Sequence, residues 1–121
     1  MTHRANNSKI TGRAEEPMEE FVKRSLLFDF YGDLLTEHQK EIYGAYIMDN
    51  LSYAEIAQEY DISRQGVHDL VRRVEGILEE YEKKLQLVEK FQEVKQKVKE
   101  IEDCRSLQEA KQAAENILEL L

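Results

Sequence analysis

From residue 18 onward the chain repeats one pattern, a capping residue followed by apolar positions three and four apart, which is the period of a helix lying on a core. Pro17 with Glu19 and Glu20 predicts a first helix start, because proline is tolerated in the first turn and acids suit the positive helix end. Met18 is also a reasonable translation start, which would make the preceding tail foreign to the protein. The first helix is expected to run to Tyr31 and stop at Gly32. Its Leu26-Leu27-Phe28-Asp29-Phe30-Tyr31 stretch is apolar almost all round, as in a helix buried on several sides or set in an interface. Thr36 with Gln39 reads as a capping box for a second helix over residues 37–48, with Ile42, Ala45, Tyr46 and Met48 inward.

Residues 52–74 then read as a helix-turn-helix. Ser52 with Glu55 is a second capping box, and Ile56, Ala57 and Tyr60 give that helix one apolar side. Ala57 sits where two helices would cross closely. Asp61 and Ile62 make the turn, Asp61 being a residue that tolerates the left-handed conformation. Ser63 caps the next helix, in which Val67, Leu70, Val71 and Val74 recur at helical spacing. In nucleic-acid-binding proteins of this kind the second helix enters the major groove.

The second helix has no stop signal after Val74. Val74, Leu78, Tyr81, Leu85 and Val88 are spaced 4, 3, 4 and 3, a heptad seam that shifts near Phe91 and resumes at Val94, Val98 and Ile101. Asp103-Cys104-Arg105 interrupts it. Ser106 with Glu109 is a third capping box, and Leu107, Ala110, Ala114, Ile117 and Leu121 mark a last helix that folds back or pairs with another subunit. The fold class is therefore all-α: a disordered polar tail over residues 1–17, a helix-turn-helix domain over 18–75 and a C-terminal helical, coiled-coil-like extension over 76–121. The seam and the apolar first helix together predict a homodimer.

Composition narrows the function. The 121 residues contain no run long enough to span a membrane and no apolar signal segment, so a cytoplasmic location is expected. One cysteine, Cys104, excludes an intrachain disulfide. His3, His38 and His68 have no neighbour at metal-ligand spacing, and no metal or cofactor is expected. Glycine-rich phosphate loops, nucleophile motifs and sheltered carboxylate pairs are lacking, so an enzyme is not expected. The net charge is −8, and residues 35–75 hold four cations against eight anions. Phosphate neutralisation dominates non-specific DNA affinity, so tight binding by a monomer is not expected.

With the apolar positions of the second helix inward, its outer face presents Arg64, Gln65, His68, Asp69 and Arg72, with Arg73 at the margin. Arginine can read guanine, glutamine adenine, and aspartate cytosine, while amides after Ser63 can meet a phosphate. Each residue taken alone is equally an ordinary exposed polar position. Gly66 is costly in a helix, which suits a close backbone approach or reflects drift.

The stretch LLFDFYGDLLTEHQKEIY, followed by LSYAEIAQEYDISRQGVHDLVRRVEGILEEYEKKL, resembles the YlxM family of small bacterial helix-turn-helix proteins over about residues 18–91, without gaps. More loosely it is similar to region 4 of bacterial sigma factors, which bind promoter DNA through this motif. The resemblance implies a role in the signal recognition particle pathway, on the ground that the family's genes lie beside those for the particle's GTPase or its receptor. It implies no catalytic residues. Members have Ala and Tyr after Ser-Arg-Gln where this chain has Gly66 and His68. Two partner classes follow: the particle's RNA or GTPase for an adaptor, or promoter DNA for a sigma-region-4-like regulator acting as a dimer.

Overall fold

The computed structural model describes residues 18–121, and its first element, α1, covers Met18–Tyr31. The expected disordered tail over residues 1–17, with Pro17 at the helix start, lies outside the described residues. A 3₁₀ turn, Gly32–Leu34, follows, then α2 (Glu37–Ile47), α3 (Tyr53–Tyr60), α4 (Arg64–Leu85), α5 (Leu87–Asp103) and α6 (Leu107–Leu120). No strand occurs among the described residues. The chain is all-α, as its spacing predicts.

Two compact units divide it, one ending at Lys84 and one spanning Leu85–Leu121. In the first, α4 is the central element. Val67, Val71, Val74 and Leu78, spaced 4, 3 and 4, are all 1% exposed or less. They form one stripe against Leu27 and Tyr31 of α1, Ile42, Tyr43 and Tyr46 of α2, and Ile56 and Ala57 of α3, all buried. Burying each valine or leucine so completely contributes roughly 1.5–3 kcal/mol. Phe28 of α1 lies on Tyr43 with ring centroids 5.5 Å apart, and its ring edge also covers Gly32 and Gly44. Small residues at those two positions let α1 approach α2.

Several inward positions are corrected. Met48 is 59% exposed, because α2 ends at Ile47 and Met48 is only its C-cap; Tyr43 and Ile47 are buried beside the expected Ile42, Ala45 and Tyr46. Leu70 is half-buried at the edge of the stripe. In α1, Leu27 and Tyr31 are buried while Phe21, Val22 and Phe30 are 37–40% exposed, so the helix keeps an outward apolar side.

The seam is also corrected. Val74 and Leu78 are consumed by the core of their own unit, and Tyr81 stacks on Tyr31 at 5.8 Å. The helix then breaks at Gln86, whose φ of 57° and ψ of 31° place it in the left-handed region. Leu85, meant to continue the seam, is 48% exposed.

In the second unit α5 and α6 form a helical hairpin, packed along each other across the three-residue turn 104–106. The Cys104 amide donates to the Ile101 carbonyl at 3.1 Å and its thiol to the Glu100 carbonyl at 2.9 Å. Burial, and then Glu109, Glu100 and Asp103, push that thiol's pKa up. Only half of the third capping box forms: the Ser106 hydroxyl accepts from the Glu109 amide at 3.2 Å, but Glu109 reaches back to the Arg105 amide, at 3.4 Å. The inner face of α6 is Ala110, Ala113, Ile117 and Leu120, with Ala113 fully buried. Leu107, Ala114 and Leu121, expected inward, point to solvent. No helix among the described residues is long and apolar enough to cross a membrane.

Candidate nucleic-acid interface

The turn between α3 and α4 follows from its residues. Ser52 accepts from the Glu55 amide at 3.1 Å while the Glu55 carboxylate takes the Ser52 amide at 2.8 Å, so α3 begins on a complete capping box. Asp61 ends it at φ 57° and ψ 47°, and the Ile62 amide returns to the Ala57 carbonyl at 3.1 Å. A left-handed residue at this point closes the last turn and redirects the chain, as glycine would do at lower cost. Ser63 then caps α4, its hydroxyl accepting from the Gly66 amide at 2.9 Å. A Cβ on Gly66 would lie 3.1 Å from that hydroxyl oxygen. The glycine therefore seats the cap of its own helix.

Because the buried stripe of α4 occupies one side, the opposite side is open. Arg64, Gln65, Asp69, Arg72 and Arg73 are exposed, and His68 is half-buried. At about 100° per residue they fan across the helix in the order Arg64, His68, Arg72, Gln65, Asp69, Arg73. His68 borders α3, its ring edge-on to Tyr53 at 5.6 Å. Gln65 donates to Asp69 Oδ1 at 2.9 Å, one helical turn apart, and the same oxygen lies 3.6 Å from His68 Nδ1. Arg73 borders α2: with Gly66, Asp69 and Leu70 it lines a groove of about 350 Å³ whose far wall is Thr36, His38 and Gln39. The structure thus brings all six expected residues onto one surface and joins two of them, Gln65 and Asp69, by a hydrogen bond. Thr36, His38 and Gln39 were not among them, because a capping box announces a helix start and says nothing of what packs beside it.

Locally this surface is positive, with three arginines and one aspartate, in a unit that is acidic elsewhere. Around Tyr60, burial and then Glu59, Glu41 and Asp49 raise the phenol's pKa. Lys40 is held by the Asp33 carboxylate; that hydrogen bond lowers the pKa of the acid and raises that of the amine, so this cation is already engaged.

Behind the surface α4 is fastened to its neighbours by polar contacts as well. Glu75 meets the Arg24 guanidinium of α1 at 3.1 Å and accepts from the Tyr43 hydroxyl of α2 at 3.3 Å; the Tyr31 hydroxyl donates to Glu82 at 2.6 Å. Burial first, and Glu75 second, push the Tyr43 phenol far above its ordinary value. A row of rings also crosses the unit. Phe28, Tyr43, Tyr46, Tyr53 and His68 follow one another with centroid separations of 5.5, 5.9, 5.4 and 5.6 Å. It links α1 through α2 and α3 to the outer face of α4.

Comparison with known proteins finds relatives over nearly the whole described chain. The family model UPF0122, described as "Putative helix-turn-helix protein, YlxM / p13 like", matches residues 18–118. A UPF0122 protein of Shouchella clausii (strain KSM-K16) is 41% identical over 102 residues, covering 84% of this chain and 94% of the relative. One from Caldanaerobacter subterraneus subsp. tengcongensis is 48% identical over 86 residues, 71% of this chain and 74% of the relative. One from Bacillus cereus (strain AH187) is 45% identical over 92 residues, 76% and 84% respectively.

Proposed function

Since the chain belongs to the UPF0122 family of YlxM / p13-like helix-turn-helix proteins, we propose that it is an accessory protein that contacts nucleic acid through the outer face of α4. In this proposal it works in the signal recognition particle pathway, touching the particle's structured RNA or its GTPase. Arg64, Gln65, His68, Asp69, Arg72 and Arg73 form the contact surface, and the chain acts as a homodimer. The observation that carries the proposal is the placement of three exposed arginines on a helix held rigidly by a capped turn, a four-residue apolar stripe and the Arg24–Glu75 pair. The acidity of the rest of the unit favours the particle's components over long duplex DNA, where many phosphates must be neutralised.

A second reading, a sigma-region-4-like transcriptional regulator bound to promoter DNA as a dimer, is favoured by one observation. The turn from α3 to α4 leaves the first turns of α4 exposed, and those turns carry the base contacts in the helix-turn-helix proteins that read DNA. Copurification with the tagged native protein separates the two: particle RNA and GTPase on one reading, a defined promoter fragment on the other.

The shared surface is tested by replacing Arg64 and Arg72 together by Ala. Binding to whichever nucleic acid copurifies should fall at least ten-fold, at about 1–3 kcal/mol for each specific contact, with helical content unchanged. Lys95→Ala on α5 should bind as the parent does. A double variant that binds normally would make α4 a scaffold and leave protein contacts as the function.

A further inference from the structure

Arg64, His68 and Arg72 stand at intervals of four residues, so they form one strip along the α3 side of α4, each about 6 Å further along the axis. Both arginines are exposed, and neither forms an ion pair with a described residue, unlike Arg24 and Lys40. Two uncompensated positive charges therefore flank one imidazole, a helical turn away on each side.

That imidazole is set in a particular way. The His68 side chain is 41% exposed, yet its Nδ1 is shut off from solvent and makes no hydrogen bond. Beside Nδ1 lies Asp69 Oδ1 at 3.6 Å, too long for a hydrogen bond but close enough for the carboxylate to favour a proton on that nitrogen. From α3 the Tyr53 ring meets it edge-on at 5.6 Å. The two acids of α3 are turned elsewhere: Glu55 takes the Ser52 amide, and Glu59 lies with Tyr60 at the far end of the helix. A neutral imidazole carries one proton. With that proton on Nδ1, Nε2 holds a lone pair and can only accept.

We propose that the strip seats a phosphodiester backbone, and that the phosphate lying between the two arginines is held by His68 in its protonated form. The proposal rests on the reading of α4 as a nucleic-acid contact and assigns three of its residues to the backbone rather than to bases. A phosphate oxygen offers only lone pairs, and so does Nε2 of neutral His68, so the two repel until a proton lies between them. In the free protein the flanking arginines oppose that proton by like charge. A bound phosphate offsets both arginines and supplies the acceptor, so a proton is taken up from solvent as the complex forms. Imidazole is the side chain that changes charge between about pH 5 and 8. The bound form holds the proton more firmly than the free form. Affinity therefore rises as pH falls, and levels off once His68 of the free protein is protonated as well.

Calorimetry of the full-length chain at constant ionic strength tests this, with a hairpin RNA and a duplex DNA of the same mixed sequence as probes. Heats measured in two buffers of different ionisation enthalpy count the protons taken up. The probe that binds more tightly identifies the source of the backbone, and it should draw a measurable fraction of a proton per site at neutral pH. Its affinity should be about three- to ten-fold greater near pH 6 than near pH 8, since one coupled proton allows at most ten-fold per unit. His68→Gln should bind near pH 8 as the parent does and lose both the uptake and the pH response, whereas His38→Gln should keep both. In the parent protein, the magnetic resonance titration of the His68 ring should move to higher pH when the probe is bound, a readout that needs no variant to fold. Binding without proton uptake, or an uptake that survives His68→Gln, overturns this inference and leaves the α4 surface standing. Failure of both probes to bind, or binding indifferent to the Arg64→Ala and Arg72→Ala pair, overturns the surface and this inference with it.

Discussion

Two glycines of the helix-turn-helix unit place opposite demands on an added methyl group. Gly76 is exposed in the middle of α4, with nothing within 4 Å of the position a Cβ would take. Alanine there removes backbone freedom from the unfolded chain and meets no neighbour, so Gly76→Ala is expected to stabilise by about 0.5–1 kcal/mol. Gly32 is buried, and its Cβ would lie 3.3 Å from two atoms of the Phe28 ring. That ring is itself packed on Tyr43, with centroids 5.5 Å apart, so it can give way only by disturbing that contact. Gly32→Ala should therefore destabilise by about 1–2 kcal/mol. Thermal unfolding of the two variants in parallel checks the pair, and a rise for both would mean that Phe28 is not wedged. Residues of the candidate interface divide in the same way. Arg64 and Arg72 were identifiable from their place opposite the apolar stripe, whereas the contact of His68 with Tyr53 depends on two helices meeting and has no counterpart in local spacing.

At the scale of elements, what was legible was whatever depends on a few neighbouring residues. Thr36–Gln39 and Ser52–Glu55 form complete reciprocal caps, and Asp61 adopts the left-handed conformation its side chain tolerates. The break at Gln86 was not legible. Glutamine is a good helix former, the 4-3 spacing passes straight through it, and Leu85 continues the apolar series. Val74 and Leu78, which the fold consumes in its own core, also read as the start of a seam, because helical spacing cannot distinguish a core of the chain's own from a partner's. For a non-glycine residue the left-handed conformation costs roughly 1–2 kcal/mol. Gln86→Gly is accordingly expected to stabilise by about 0.5–1 kcal/mol after the entropy of glycine is deducted. Denaturant unfolding measures this, and a loss of stability would show that the Gln86 side chain contributes more than its backbone strain costs.

For the whole molecule the governing quantity is charge. A net −8 repels nucleic acid at long range, and the three arginines of α4 are a local exception. With two to four phosphate contacts per subunit, the slope of log affinity against log salt on duplex DNA should be only about −2 to −4 per subunit. A titration from low to moderate salt that gives a much steeper slope would place cations from outside the α4 face at the interface. The row of rings from Phe28 to His68 has a consequence of a different kind. The chain has no tryptophan, so its near-ultraviolet emission comes from tyrosine, and three tyrosines stand in contact distance along that row. Excitation absorbed at Tyr43 or Tyr46 can migrate to Tyr53, whose neighbour is the imidazole of His68. A protonated imidazole quenches phenol emission, and a ligand that changes its charge or displaces it alters that quenching. The protein therefore carries an intrinsic fluorophore that opens onto the surface proposed to bind.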